Sequence, residues 1–296
     1  MHDQATALRK MAIQKNPAHK GSLRVIAVTS GKGGVGKTNF TVNIALALID
    51  MGYRVIILDG DLGLANVDIA CGVTPHFTLE HLLSGEKTIE EILVYGPKGL
   101  GILPGGSGVQ DLANIERANL ENVIRNLGRL EGLTDILIID TGAGLGHTVT
   151  NFLKAADDII LLTTPEPTAL TDAYGMLKAL SSDDPEDPED PEDKKIKVNV
   201  VVNRVAQETD ARLTFERLEN AVHKFLHGSV SLLGWVYEDP SVGKAIMNQE
   251  PLAIAYPTSS AYRCIQWIAG SVSGLYLAPP RKAAGIRGFL TQLLRR

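Results

Sequence analysis

Residues 24–38 read RVIAVTSGKGGVGKT, and this stretch decides the fold. Its first half is a β-branched apolar run of the strand type. Its second half, Gly31-Lys32-Gly33-Gly34-Val35-Gly36-Lys37-Thr38, is a glycine-rich loop of the form G-x-x-x-x-G-K-T. The residues that follow, through Asn39 and on to Gly52, carry a helical apolar pattern. Strand, loop and helix in that order make a phosphate cradle. The glycines let successive backbone N–H groups turn inward, and the helix N-terminus adds its positive dipole end. Lys37 is expected to reach the β- and γ-phosphates of a nucleotide, and the Thr38 hydroxyl to ligate Mg²⁺.

Outward from the loop, short apolar runs alternate with amphipathic stretches. The runs are 24–29, 54–58, 101–103, 136–139, 159–164, 197–203 and 232–236. Several are apolar on consecutive residues, which marks strands buried on both faces. The expected fold is α/β: a doubly wound, mostly parallel sheet with helices on both faces. The domain is expected to span residues 21–278, after a leader at 1–20 and before a tail at 279–296. Residues 181–195 form an acidic insert. Its core, DDPEDPEDPED from Asp183 to Asp193, is low in complexity and rich in proline, as a solvated loop would be. Removing its eight acids turns the net charge from −5 to about +3, so the body does not repel anions.

Two cysteines, Cys71 and Cys264, stand in unrelated contexts with no C-x-x-C. They fit core positions better than a metal or disulfide framework. No run approaches the ~20 apolar residues of a membrane span. The N-terminus lacks the basic-then-apolar order of a signal peptide, so a cytoplasmic location is expected.

The second lysine of the loop, Lys32, completes the pattern K-G-G-x-G-K-T. At this point the chain resembles the MinD and ParA family of deviant Walker A ATPases, within the P-loop class. The resemblance implies that Lys32 crosses a dimer interface to the partner's nucleotide. Asp59-Gly60-Asp61, followed by Gly63, Asn66 and Asp68, is similar to the family's first switch. By that likeness Asp61 orients the attacking water and Asp59 supports Mg²⁺. Ile136 to Asp140 is an apolar strand delivering one acid toward the metal, as a Walker B strand does. Thr141-Gly142-Ala143-Gly144 then resembles the second switch. Asn203 and Arg204 resemble the family's base-recognising strand end, where an amide that both donates and accepts suits adenine and hence ATP. Asp239 lies in a Glu-Asp-x-Ser-Val segment similar to one that borders the base. A helix cap or an ordinary turn explains it equally well.

The two ends narrow the reading. In the tail, Ile286, Phe289, Leu290, Leu293 and Leu294 fall on one helical stripe flanked by arginines and a lysine. That composition suits an interfacial membrane helix, and a helix docked on protein also fits it. The leader holds Asp3-Gln4-Ala5-x-x-Leu8-Arg9, similar to the D-Q-A-x-x-L-R motif of the flagellar FlhG (YlxH, FleN) branch of the family. That likeness implies an ATP-bound homodimer, reversible attachment to the inner face of the cell membrane, and control of flagellar number and placement. It also implies stimulation of the FlhF GTPase through Asp3, Gln4, Leu8 and Arg9, and contact with flagellar C-ring proteins. A MinD-type division-site selector and a ParA-type DNA partition ATPase are the alternatives. The mildly basic body and lipid-suited tail argue against nucleic acid.

Overall fold

The computed structural model describes residues 23–61, 66–106, 128–181, 197–226, 229–275 and 278–280. The leader motif, the acidic insert beyond Ser181 and the tail stripe lie outside these residues. Strand β1 (Arg24–Ser30) leads through the glycine loop into helix α1 (Lys37–Asp50). Then come β2 (Val55–Gly60), α2 (Val67–Cys71), α3 (Leu79–Leu83), α4 (Ile89–Ile92), β3 (Val94–Tyr95) and β4 (Gly101–Leu103). After α5 (Leu130–Leu133), the chain forms β5 (Ile136–Thr141), α6 (His147–Ala155), β6 (Asp158–Thr163) and α7 (Pro167–Ser181). It continues with β7 (Lys197–Val205), α8 (Glu208–Phe225), β8 (Ser229–Tyr237), α9 (Pro240–Met247), α10 (Leu252–Ala255) and α11 (Ser260–Val272).

The strands join one eight-stranded sheet in the order β3-β4-β2-β5-β1-β6-β7-β8. All pairings are parallel except β3 with β4. The expected doubly wound α/β fold is therefore present. The one unforeseen strand, β3, is two residues long and antiparallel, too short for any periodicity to announce it. The consecutive apolar runs are buried on both faces for the reason the sequence suggests. In β2, Val55 and Ile57 join the larger core cluster, while Ile56 and Leu58 point into a second one with Leu79, Leu82 and Ile89. In β5, Ile136 and Ile138 divide from Leu137 and Ile139 in the same way. Helix α1 is buried along most of its length, between the sheet and α11. Cys71 and Cys264 are both buried free thiols, pushed by burial up to about 12 and about 11.

The chain winds from β1 outward through β2 to β4, returns to insert β5, and then winds the other way through β6, β7 and β8. Order reverses at β1, so the carboxyl ends of β1, β2 and β5 border the crevice where open α/β sheets bind ligands.

Candidate functional site: a phosphate loop and an adjoining pocket

The loop conformation explains its glycines. Gly34 and Gly36 adopt φ of 79° and 94°, which L residues with a side chain rarely reach. A Cβ on Gly31 would lie 2.2 Å from the backbone carbonyl of Asp172, so α7 packs directly on the loop. At Gly33 and Gly34 nothing lies within 4 Å of such a Cβ, leaving open space along the loop for phosphate.

Asp140, at the end of β5, is fully buried and collects three donors from α1. Lys37 Nζ donates to Oδ1 at 3.0 Å, Thr38 Oγ1 to Oδ2 at 2.6 Å, and Thr41 Oγ1 to Oδ1 at 2.9 Å. Lys37 is itself 8% exposed, so this ion pair is shielded from water. No motif in the sequence singles out Thr41, although it lies one turn after Lys37 and so on the same helical face.

Asp59 stands beside Asp140 in the β2–β5 register. Its carboxylate accepts from the backbone N–H groups of Asn66 and Val67 at 3.0 and 3.1 Å, and from that of Asp61 at 3.3 Å. Burial raises its pKa to about 6; repulsion from Asp140 adds to the rise and the three N–H bonds oppose it. A methyl placed on Gly142 would lie 3.8 Å from Asp61 Oδ1, which brings Asp61 beside the turn that follows β5. Gly144, in the second switch, donates its N–H to the Ser30 carbonyl at 3.2 Å. Thr38, Asp59 and Asp140 thus converge at the loop, and this hard oxygen donor set fits Mg²⁺ completed by phosphate oxygens.

Lys32 is held within its own molecule. Its Nζ donates to Thr168 Oγ1 at 3.0 Å and to Glu166 Oε2 at 3.3 Å, in a pair open to solvent. No spacing in the sequence points to Glu166 or Thr168, because the β6–α7 turn meets the loop only through the fold.

Beside the loop lies a pocket of about 190 Å³. Its apolar wall is Phe40, Val236, Val242, Ile246, Ala261 and Ile265, and Asn39, Asn203, Arg204, Glu238 and Asp239 supply polar groups. A mostly apolar pocket with a few polar groups is the kind of lining that suits a nucleobase. Asp239 lines it, but its carboxylate serves as a helix cap. Oδ1 accepts from Ser241 N at 2.9 Å, while Oδ2 accepts from Ser260 N at 2.9 Å and Ser260 Oγ at 2.7 Å. Of the two readings left open by the sequence, the structure displays the cap, and it spans the N-termini of α9 and α11. Burial pushes this carboxyl up, but the bonds from Ser260, Ser241 and Ala261 outweigh it and leave a pKa of about 2.

Residues 23–182 match the family model described as an AAA domain. The chain is 37% identical over 260 residues to the antiactivator FleN of Pseudomonas aeruginosa, covering 88% of this chain and 90% of that protein. It is 35% identical to the flagellum site-determining protein YlxH of Helicobacter pylori, across 100% of this chain and 99% of that one. Among solved structures, the septum site-determining protein MinD of Pyrococcus horikoshii complexed with Mg-ADP is 26% identical. It superposes with a TM-score of 0.63 over 84% of this chain and 96% of that one.

Proposed function

The chain belongs to the MinD/ParA family of P-loop ATPases, with FleN and YlxH among its relatives, and from that premise we propose that it regulates flagellar number and placement as an ATP-driven, membrane-cycling dimer. The observation that carries the reading is the buried Lys37–Asp140–Thr38 set beneath an open glycine loop, in a chain alike end to end to a flagellum site-determining protein.

ATP lies with its phosphates along the loop N–H groups and its base in the adjoining pocket. Lys37 turns from Asp140 to the β- and γ-phosphates. Thr38, with Asp59 and Asp140 behind it, would hold Mg²⁺, which would supply charge neutralisation at the phosphate oxygens. Asp61 orients the water in line with the γ-phosphate. Lys32 exchanges Glu166 and Thr168 for the nucleotide of a second copy, which makes the dimer depend on ATP.

The tail gives the dimer its place. A single tail inserting Ile286, Phe289, Leu290, Leu293 and Leu294 would bind a bilayer weakly and reversibly. Two on one dimer make the second insertion intramolecular, raising avidity ~10²–10⁴-fold. Hydrolysis then separates the copies and releases them. The leader adds the partner: Asp3, Gln4, Leu8 and Arg9 engage the FlhF GTPase, with Gln4 orienting a water by hydrogen bonding. C-ring proteins are the cargo.

The test is GTP hydrolysis by purified FlhF with a peptide of residues 1–20, wild type against Gln4→Ala, beside liposome sedimentation of the full chain in ATP and in ADP. Stimulation abolished by the substitution, with ATP-dependent sedimentation, is expected. A wild-type peptide without effect would return the cargo to the MinD-type alternative, and sedimentation indifferent to nucleotide would remove the membrane cycle.

A further inference from the structure

Asn203 ends the part of β7 that borders the base pocket, where a residue reading the nucleobase would stand. Its amide is nevertheless engaged elsewhere. Nδ2 donates to the Val35 carbonyl, inside the phosphate loop, at 2.7 Å. Oδ1 accepts the backbone N–H of Arg204 at 3.0 Å. The two partners fix the orientation of the amide, because a carbonyl can only accept and an N–H can only donate. The approach depends on Gly36. A Cβ there would sit 2.6 Å from Asn203 Nδ2, in a residue whose φ of 94° already disfavours a side chain. Arg204 also adopts a positive φ, 56°, which is uncommon outside glycine and marks a turn fixed by its surroundings.

We propose that Asn203 is a positioning residue for the phosphate loop, tying Val35 to the base pocket through the gap left by Gly36, so that its loss weakens the grip on phosphate even where no base is bound. The inference rests on the nucleotide reading of the site and deepens it. An amide has two N–H donors and an oxygen with two lone pairs. One donor and one lone pair are committed to Val35 and Arg204. One donor and one lone pair remain for a base. Asn203 can therefore hold the loop and offer polar atoms to the base at once. Val35 lies between Gly34 and Gly36, both at positive φ, and its carbonyl shares a peptide plane with the Gly36 N–H, so the bond from Asn203 fixes how that N–H is turned in the loop.

The test separates phosphate from base. Binding of Mg·ATP and of Mg·tripolyphosphate, which has the phosphates and no base, is measured by competition against a fluorescent ATP analogue. The proteins are wild type, Asn203→Leu, which keeps the shape without hydrogen bonding, and Asn203→Ala in case the first fails to fold. One lost hydrogen bond to the loop should raise the tripolyphosphate Kd about three- to tenfold in either variant. Mg·ATP should lose at least as much. Asn203→Gln, which keeps the amide, should recover part of the tripolyphosphate loss. Weakened ATP binding with tripolyphosphate unchanged would make Asn203 a base reader alone and overturn the proposal. Both ligands unchanged would overturn it too. So would a wild-type protein that binds Mg·ATP but not tripolyphosphate, since its loop would not be held ready for phosphate. A wild type that binds neither fails the underlying nucleotide reading itself.

Discussion

Asp140→Ala tests whether the buried ion pair is the keystone of the nucleotide-free site. In the wild type Asp140 takes the Lys37 ammonium and the hydroxyls of Thr38 and Thr41, with essentially no solvent contact. Thr41 keeps a second acceptor in the Lys37 carbonyl at 3.1 Å, so its loss is minor. Lys37 loses its only carboxylate partner among the described ion pairs while remaining nearly buried. Removing one member of a buried pair costs about 3–5 kcal/mol, because the other charge is left uncompensated. In a chain of this size that is a fall of roughly 5–10 °C in Tm. Urea unfolding in chelator, without nucleotide, measures it. A second arm has the opposite sign. In the wild type a phosphate must compete with Asp140 for Lys37, whereas in the variant it supplies the missing anion. Metal-free ADP should therefore bind Asp140→Ala more tightly than wild type, while Mg·ATP turnover falls. A stability loss below about 1 kcal/mol, or weaker metal-free ADP binding by the variant, would refute the reasoning.

Four further outcomes are expected. Asp61→Ala should accumulate an ATP-bound dimer, since the Mg·ATP site persists while the water loses its orienting group; a monomer in excess ATP by light scattering contradicts this. Lys32→Ala should keep nucleotide binding and lose ATP-dependent dimerisation, and because its pair with Glu166 is exposed, its unfolding free energy should change by less than about 1 kcal/mol. Gly31→Ala forces a methyl into the Asp172 backbone, so α7 or the loop must shift, costing about 1–3 kcal/mol with a matching rise in the Kd for Mg·ATP. The Asp239 carboxyl has a folded pKa of about 2, below its unfolded value near 3.9, so its contribution is present above about pH 4 and lost as pH falls toward 2. Asp239→Asn should therefore be less stable than wild type at pH 7, with the gap closing through that window in acid unfolding.

How much of this was legible depends on whether the cause was local. The loop, the strand-end acids Asp59, Asp61 and Asp140, and the two-faced strands were readable because each rests on a short-range pattern: glycine spacing, an apolar run ending in an acid, consecutive burial. The partners of those residues were not readable. Glu166 meets Lys32 across 134 positions, and Asn203 meets Val35 across 168. Asp239 shows the boundary well. Its cap on the Ser241 N–H was one of the readings the sequence left open, and Asp before Pro at the first helical position is consistent with it. Its second grip, on Ser260 and Ala261, exists only because α11 returns beside α9.

These partnerships have one consequence for how the site works. The groups proposed to handle nucleotide are already engaged by this chain: Lys37 by Asp140, Lys32 by Glu166 and Thr168, Asn203 by the loop itself. They differ in what it takes to release them. In the proposal above the Asn203 contact is kept on binding, since a second donor and lone pair remain for the base. The Lys37 pair is buried, and only an anion delivered to the same place can replace Asp140 without stranding a charge. The Lys32 pair is exposed and worth at most about 1 kcal/mol, so it yields to modest competition. Phosphate capture by Lys37 is therefore the demanding exchange and transfer of Lys32 to a second copy the easy one. That order suits the proposed dimer, in which the second copy is engaged only after ATP is seated.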